Sequence, residues 1–194
     1  MVQLKKIVLR ATDLPRGWKA VPSEPDDDDS AGEAELLKCI GARNTDEDQV
    51  ATADSADFGL GDATISSSAS SYKSQSDLDS DLALLKSPKL VPCFSKLLKK
   101  ELAKSLPDDA SLGAVSVKFT PGPGTGPANV AGSGLATVAL TVGGQHVKVY
   151  VHFIYLTGPL IEVEIDADNI GAPVPPAVLQ AAIKAVADRA AATS

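Results

Sequence analysis

Residues 135–156 read LATVALTVGGQHVKVYVHFIYL, and this stretch decides the fold. Two runs with apolar residues at every second position flank Gly143-Gly144. Period-two alternation is the signature of a strand. Gly-Gly between two such runs is a strong hairpin turn, because both turn positions need a positive φ. The turn sets a register: Val142 opposite Gln145, Leu140 opposite Val147, Val138 opposite Val149, Thr141 opposite His146 and Thr137 opposite Tyr150. Val147, Val149, Val151, Phe153 and Tyr155 then share one face. His146, Lys148, Tyr150 and His152 share the other.

Working outward, Ala114 to Thr120 alternates, with Val115, Val117 and Phe119 on one side. A Gly/Pro loop from Pro121 to Gly134 links it to the hairpin and is the expected mobile edge of the domain. After the hairpin, Thr157-Gly158-Pro159 reads as a turn into a third strand, Leu160 to Ala167. A three-residue loop here would pair Tyr155 with Ile161, Phe153 with Val163 and Val151 with Ile165. It would also set His152 against Glu164 and Tyr150 against Asp166, with Glu162 diagonal to His152. Pro176 to Ala191 closes the chain as an amphipathic helix, with Val178, Leu179, Ile183 and Val186 as its inner stripe.

The N-terminal half is richer in helix. Ala31 to Ile40 is expected to be helical, with Ser30 as N-cap and Gly41 ending it. An acidic connection runs from Arg43 to Gly61. The serine-rich stretch Ala63 to Tyr72 reads as an edge strand. Leu78, Leu82 and Leu85 mark a helix over Ser76 to Lys86. Pro92 suits the start of the next, which runs to about Ser105 and turns Lys96, Lys99, Lys100 and Lys104 to solvent. Trp18, after Pro15 and Gly17, is expected to plug the edge of the core. The expectation is one α+β domain over residues 1–194: an antiparallel sheet with helices packed on one face and a closing amphipathic helix.

With a formal charge of −7, the chain lacks the basic face that nucleic acid or anionic lipid surfaces require. Aromatic residues are only 4%, so Val, Leu, Ile and Ala must build the core. No apolar run is long enough for a transmembrane segment, and Met1 to Arg10 lacks the apolar stretch of a signal peptide.

The only two cysteines, Cys39 and Cys93, fall in predicted helices on either side of the serine-rich strand. An even count permits one long-range disulfide, which would place the protein outside the reducing cytosol. The chain-entropy model gives so long a loop about 4 kcal/mol of stabilisation. An export signal or lipoprotein anchor upstream of Met1 would then be expected. The competing reading is a cytosolic protein with two buried thiols.

Chemical motifs are sparse. Asp77-Leu78-Asp79-Ser80-Asp81 starts like a calcium loop, but Leu82 stands where glycine is needed and Pro88 where glutamate is. Gly122-Pro123-Gly124-Thr125-Gly126-Pro127 has no Lys-Ser/Thr after it, so it is no phosphate loop. Gly132-Ser133-Gly134 lacks the following helix of a nucleophile elbow. His146 and His152 lie roughly 20 Å apart along one strand and cannot share a metal ion. No metal or other cofactor is expected. The expected sheet register leaves one candidate ligand surface: Tyr150, His152, Glu162, Glu164 and Asp166. Its bland counterpart is a solvated strand face whose His–Glu pairing contributes under about 1 kcal/mol.

The opening Asp13-Leu14-Pro15-Arg16-Gly17-Trp18, followed by two Cys-bearing helices, an antiparallel sheet and a closing helix, resembles exported actinobacterial domains. It is similar to the extracellular sensor domain of mycobacterial Ser/Thr kinases and related lipoproteins, and more distantly to the photosystem-extrinsic-protein-like fold. The kinase domains typically carry two disulfides, and this chain has cysteines for one. The resemblance implies a non-enzymatic sensor-like or ligand-binding module of the envelope, whose partner is a small molecule or an envelope protein. The alternatives are a small hydrolase or isomerase using His152 with Glu164, and a structural subunit of an envelope complex.

Overall fold

The computed structural model describes residues 3–22, 30–107, 109–122 and 129–192. Within them run β1 (Lys19–Val21), α1 (Ser30–Ile40), β2 (Gln49–Asp54), β3 (Asp57–Leu60), β4 (Ala63–Tyr72), α2 (Gln75–Leu82) and α3 (Leu90–Ser105). There follow β5 (Ala110–Pro121), β6 (Asn129–Val142), β7 (Gln145–Gly158), β8 (Ile161–Ile170) and α4 (Pro176–Ala191). The strands form one eight-stranded antiparallel sheet in the order β1-β3-β4-β8-β7-β6-β5, with β2 also pairing β4. This is the α+β architecture read from the sequence, closing helix included.

The β6–β7 hairpin has the expected register, from Val142 against Gln145 to Thr137 against Tyr150. Gly143 and Gly144 have φ of 56° and 79°, which is why the turn needs glycine at both positions. The 121–134 loop is shorter than expected, because β6 already begins at Asn129. The phosphate-loop candidate largely lies outside the described residues, which omit 123–128.

Four expectations need correction. First, the acidic connection after Arg43 contains β2 and β3. They line up end to end along one edge of β4, joined at Ser55, whose amide donates to the Ser67 carbonyl (2.8 Å) and whose hydroxyl accepts from the Ser67 amide (2.8 Å). Second, β4 is therefore interior, flanked by β2 and β3 on one side and β8 on the other. Its serines are not an edge signal. They are small residues that let other backbone approach: the Leu9 amide donates to Ser67 Oγ at 2.8 Å in a buried bond.

Third, the turn between β7 and β8 has two residues, Pro159 and Leu160, so Gly158 opposes Ile161. Tyr155 pairs with Glu164, Phe153 with Asp166 and His152 with Ala167, three residues out of the expected register, an odd shift that exchanges the faces of β8. Leu160 takes a left-handed φ of 56°, unfavourable for a branched side chain, and its carbonyl accepts from the Tyr72 amide at 2.9 Å. A leucine in that role gives no local turn signal. Fourth, the helices cover both faces of the sheet. α4 packs on β7 and β8 from one side, whereas α1, α2 and α3 roof the other side.

The core under α4 is apolar throughout. Ile161, Val163, Ile165 and Ala167 of β8 and Ala182 and Val186 of α4 are completely buried. The N-terminal segment lies on the same face, burying Ile7, Val8 and Leu9, with Trp18 at its end as expected. Arg189 of α4 staples that segment down. Its guanidinium donates to the Ile7 and Val8 carbonyls (3.0 Å each) and grips Asp13 with two bonds of 3.0 and 2.7 Å. Burial works to raise the Asp13 carboxyl, but the Arg189 pair and the Arg10 amide outweigh it, and its pKa is held below the usual value.

On the opposite face, Cys39 of α1 and Cys93 of α3 form a disulfide across 54 residues. Beside it, Lys100 of α3 pairs with Glu35 of α1 on an exposed surface. The cross-link ties α1 to α3, against which it also packs, and so helps to hold it over the sheet.

Arg189→Met would leave the Asp13 carboxylate and two carbonyls without their donor. We expect a loss of about 2–4 kcal/mol in denaturant unfolding at neutral pH. Because the Asp13 pKa is depressed in the fold, this contribution is present above about pH 4 and fades as pH falls through the folded value. A deficit that stays constant down to about pH 2 would contradict the pairing.

Candidate functional site

The sequence Ile161-Glu162-Val163-Glu164-Ile165-Asp166-Ala167-Asp168 alternates perfectly, so β8 puts its apolar residues under α4 and its carboxylates on the other face. An alternating strand normally turns its acids to water. Here α2 and α3 pass over that face, since the chain must cross from β4 to β5 at the far edge of the sheet, and α1 lies alongside them, tied to α3 by the disulfide. The result is a cavity between roof and sheet whose floor is acidic.

One half of the cavity, about 360 Å³, is lined by Glu162 and Glu164 of β8, Tyr72 of β4, Asp81 of α2 and Glu33 and Ile40 of α1. The adjoining half, about 260 Å³, is lined mainly by apolar side chains, among them Phe94, Val117, Phe119, Val151 and Phe153. Leu36, Leu85, Leu90, Tyr155 and Glu164 belong to both halves.

The aromatic wall is built on two glycines. Phe119 and Phe153 stack with centroids 6.3 Å apart, and Phe94 meets Phe153 edge-on at 5.3 Å. A Cβ at Gly134 would lie 1.8 Å from the Phe153 ring, and one at Gly132 would lie 2.4 Å from the Phe119 ring. Gly132-Ser133-Gly134 is thus a flat bed for two rings.

The polar wall is a chain of acids and hydroxyls. Asp81 accepts from Thr45 Oγ1 at 2.6 Å and from the Tyr72 hydroxyl. Glu162 abuts Asp81 and Tyr72, and Glu164 accepts from the Tyr155 hydroxyl. Desolvation raises the Glu162 pKa well above the usual glutamate range, reinforced by Asp81 and Glu164. Burial likewise raises Glu164, and it raises Asp166 to about 8 with help from Glu164 and Asp168. Tyr72 and Tyr155 are pushed up by burial and the neighbouring carboxylates, so both remain hydrogen-bond donors at neutral pH. Oε2 of Glu162 is shielded from solvent and has no hydrogen-bond partner.

The residues singled out in the sequence divide between the two faces. Glu162, Glu164 and Asp166 lie on the roofed face, opposite Thr157, Tyr155 and Phe153. Tyr150 and His152 lie on the α4 face, opposite Asn169 and Ala167. The pairing of His152 with Glu164 and of Tyr150 with Asp166 is therefore corrected by the two-residue turn. Burial lowers the His152 pKa, and its Nε2 has no hydrogen-bond partner. Tyr72, Asp81, Tyr155 and the aromatic wall were not singled out. The available signal was β7 itself: Ile154 and Leu156 are apolar on the face assigned to water, as expected of a strand covered on both sides. Among the described residues no group of three or more His, Cys, Asp or Glu side chains is arranged to hold a metal ion.

No protein family matches the sequence, and no curated protein matches it. Among solved structures, the chain is similar to the extracellular domain of PknH from Mycobacterium tuberculosis. The TM-score is 0.49 at 9% identity, covering 97% of this chain and 94% of that chain.

The raised carboxyls give stability a definite pH dependence. Unfolded, they titrate near ~4. Folded, they keep protons to higher pH, to about 8 for Asp166. The native state binds more protons between those values, so stability falls as pH rises through the window. We expect a higher melting temperature near pH 5 than near pH 8, and a flatter profile for Glu162→Gln/Asp166→Asn. A wild-type melting temperature that rises from pH 5 to pH 8 would contradict this.

Proposed function

We propose that this chain is an exported, non-enzymatic ligand-binding or sensor-like module of the cell envelope, and that its ligand occupies the cavity between β8 and the disulfide-tied helices. The cavity carries the proposal. It is concave, with a polar and an apolar half that share lining residues, and its roofing helices α1 and α3 are joined by the disulfide and the Glu35–Lys100 pair. The disulfide supports an oxidising compartment. No helix among the described residues is long and apolar enough to cross a membrane.

The enzymatic alternative rested on His152 acting with Glu164. The sheet separates them onto opposite faces, which removes that acid–base pair. The carboxylates under the roof neighbour tyrosines and serines, a set suited to holding a polar group in place.

The test is a ligand screen on the oxidised chain by native mass spectrometry and thermal shift. Leu90, at the start of α3, lines both halves of the cavity, so Leu90→Trp obstructs the space where they adjoin. We expect compounds that raise the wild-type melting temperature to lose their effect on Leu90→Trp at least tenfold in concentration. Unchanged binding to a folded Leu90→Trp variant would place the ligand elsewhere.

A further inference from the structure

The two ends of the cavity differ in chemistry, and the difference restricts what fits. At one end Glu162, Glu164 and Asp81 face the same space, and no lysine or arginine lines either half among the described residues. Glu162 Oε2 is cut off from solvent without a donor. An acceptor left in that state is destabilising, more so when charged. The neighbouring carboxylates add like-charge repulsion. At the other end Phe94, Phe119 and Phe153 present ring faces and edges. The halves adjoin at Leu85, Leu90 and Tyr155, which line both.

A bare metal ion would use only the acidic end, where the carboxylates do not converge on a point. An anion would meet carboxylates without a counter-charge. A neutral apolar molecule would leave Glu162 Oε2 unpartnered. We propose that the cavity binds a small organic cation, a primary amine on an aromatic or branched apolar body, with its ammonium seated on Glu162 and Glu164 and its body against Phe153. An ammonium supplies the missing N–H donor, makes charge-assisted bonds to two carboxylates and offsets their repulsion. The aromatic wall then takes the body, and the rings also favour a nearby cation. This identification rests on the cavity being the binding site.

Binding competes with protons. The groups facing the ammonium are Glu33 of α1, Tyr72 of β4, Asp81 of α2, Tyr155 of β7, and Glu162, Glu164 and Asp166 of β8. Protons held by the raised carboxyls must leave as the cation enters, so amine affinity increases as pH rises toward about 8, where Asp166 gives up its proton.

The experiment compares phenethylamine, phenethyl alcohol and phenylacetate on the oxidised full chain by calorimetry and chemical-shift titration at about pH 8. We expect the amine to bind about tenfold or more tightly than the alcohol, and the anion most weakly. In Glu162→Gln/Glu164→Gln the amine preference should vanish while the alcohol affinity stays within about twofold. That variant removes repulsion at constant shape, and the single Glu162→Gln provides a second, milder probe. Equal affinity for amine and alcohol in the wild type overturns the cation inference and leaves the cavity reading standing. A preference that survives in the double variant overturns the proposed seat. Failure of the amine to bind overturns the cation inference, and amine binding that is unchanged in a folded Leu90→Trp variant overturns the cavity reading with it.

Discussion

Where β4, β8 and β7 run side by side, the sheet has no wet face, and the rest of the structure follows from that. Ile161, Val163 and Ile165 must lie under α4, because they are the completely buried row on which that helix packs. Strand geometry then sends Glu162, Glu164 and Asp166 to the other side without exception. That side is covered too, because the β4-to-β5 crossover lays α2 and α3 across it and the disulfide brings α1 alongside. The acids end up indoors as a consequence of where the apolar row has to go.

This arrangement carries an electrostatic cost that the fold manages in three ways. Hydroxyls from Tyr72, Tyr155 and Thr45 donate to the carboxylates. Raised pKa values keep part of the cluster protonated near neutrality. The cavity itself leaves room for solvent or a solute beside the acids. A core built for stability alone would have placed leucines at Glu162 and Glu164, since removing buried charge for well-packed apolar groups is often neutral or favourable. Retaining acids beneath a roof is the feature on which the proposed binding site rests.

The two faces divide the work. The α4 face is held by apolar packing and by the Arg189 staple, which ties the N-terminal segment to the C-terminal helix through four hydrogen bonds. The roofed face is held by a covalent bond, an exposed ion pair and the aromatic wall. A disulfide acts chiefly by restricting the unfolded chain, so it can keep a roof in place above a cavity without filling the space beneath. That is a physical reason for a cross-link on this face and none on the other.

Local patterns in the chain determined much of this protein. Gly143-Gly144 set the β6–β7 register, because no other residue type so readily takes positive φ at both turn positions. The apolar stripe of Pro176–Ala191 specified α4, Leu78, Leu82 and Leu85 marked α2 and its following turn, and two cysteines in separate predicted helices permitted the disulfide that the fold forms. The tertiary structure alone decided the register of β8, since Leu160 adopts its left-handed conformation within a turn whose carbonyl is held by the Tyr72 amide of a distant strand. It alone made β4 interior, because serine's small size matters only once Leu4–Leu9 lies across it. It alone gathered Tyr72, Asp81, Tyr155, Glu162 and Glu164 around one space. Periodicity reports which residues share a face of their own strand; which layer covers that face depends on contacts between residues far apart in the chain.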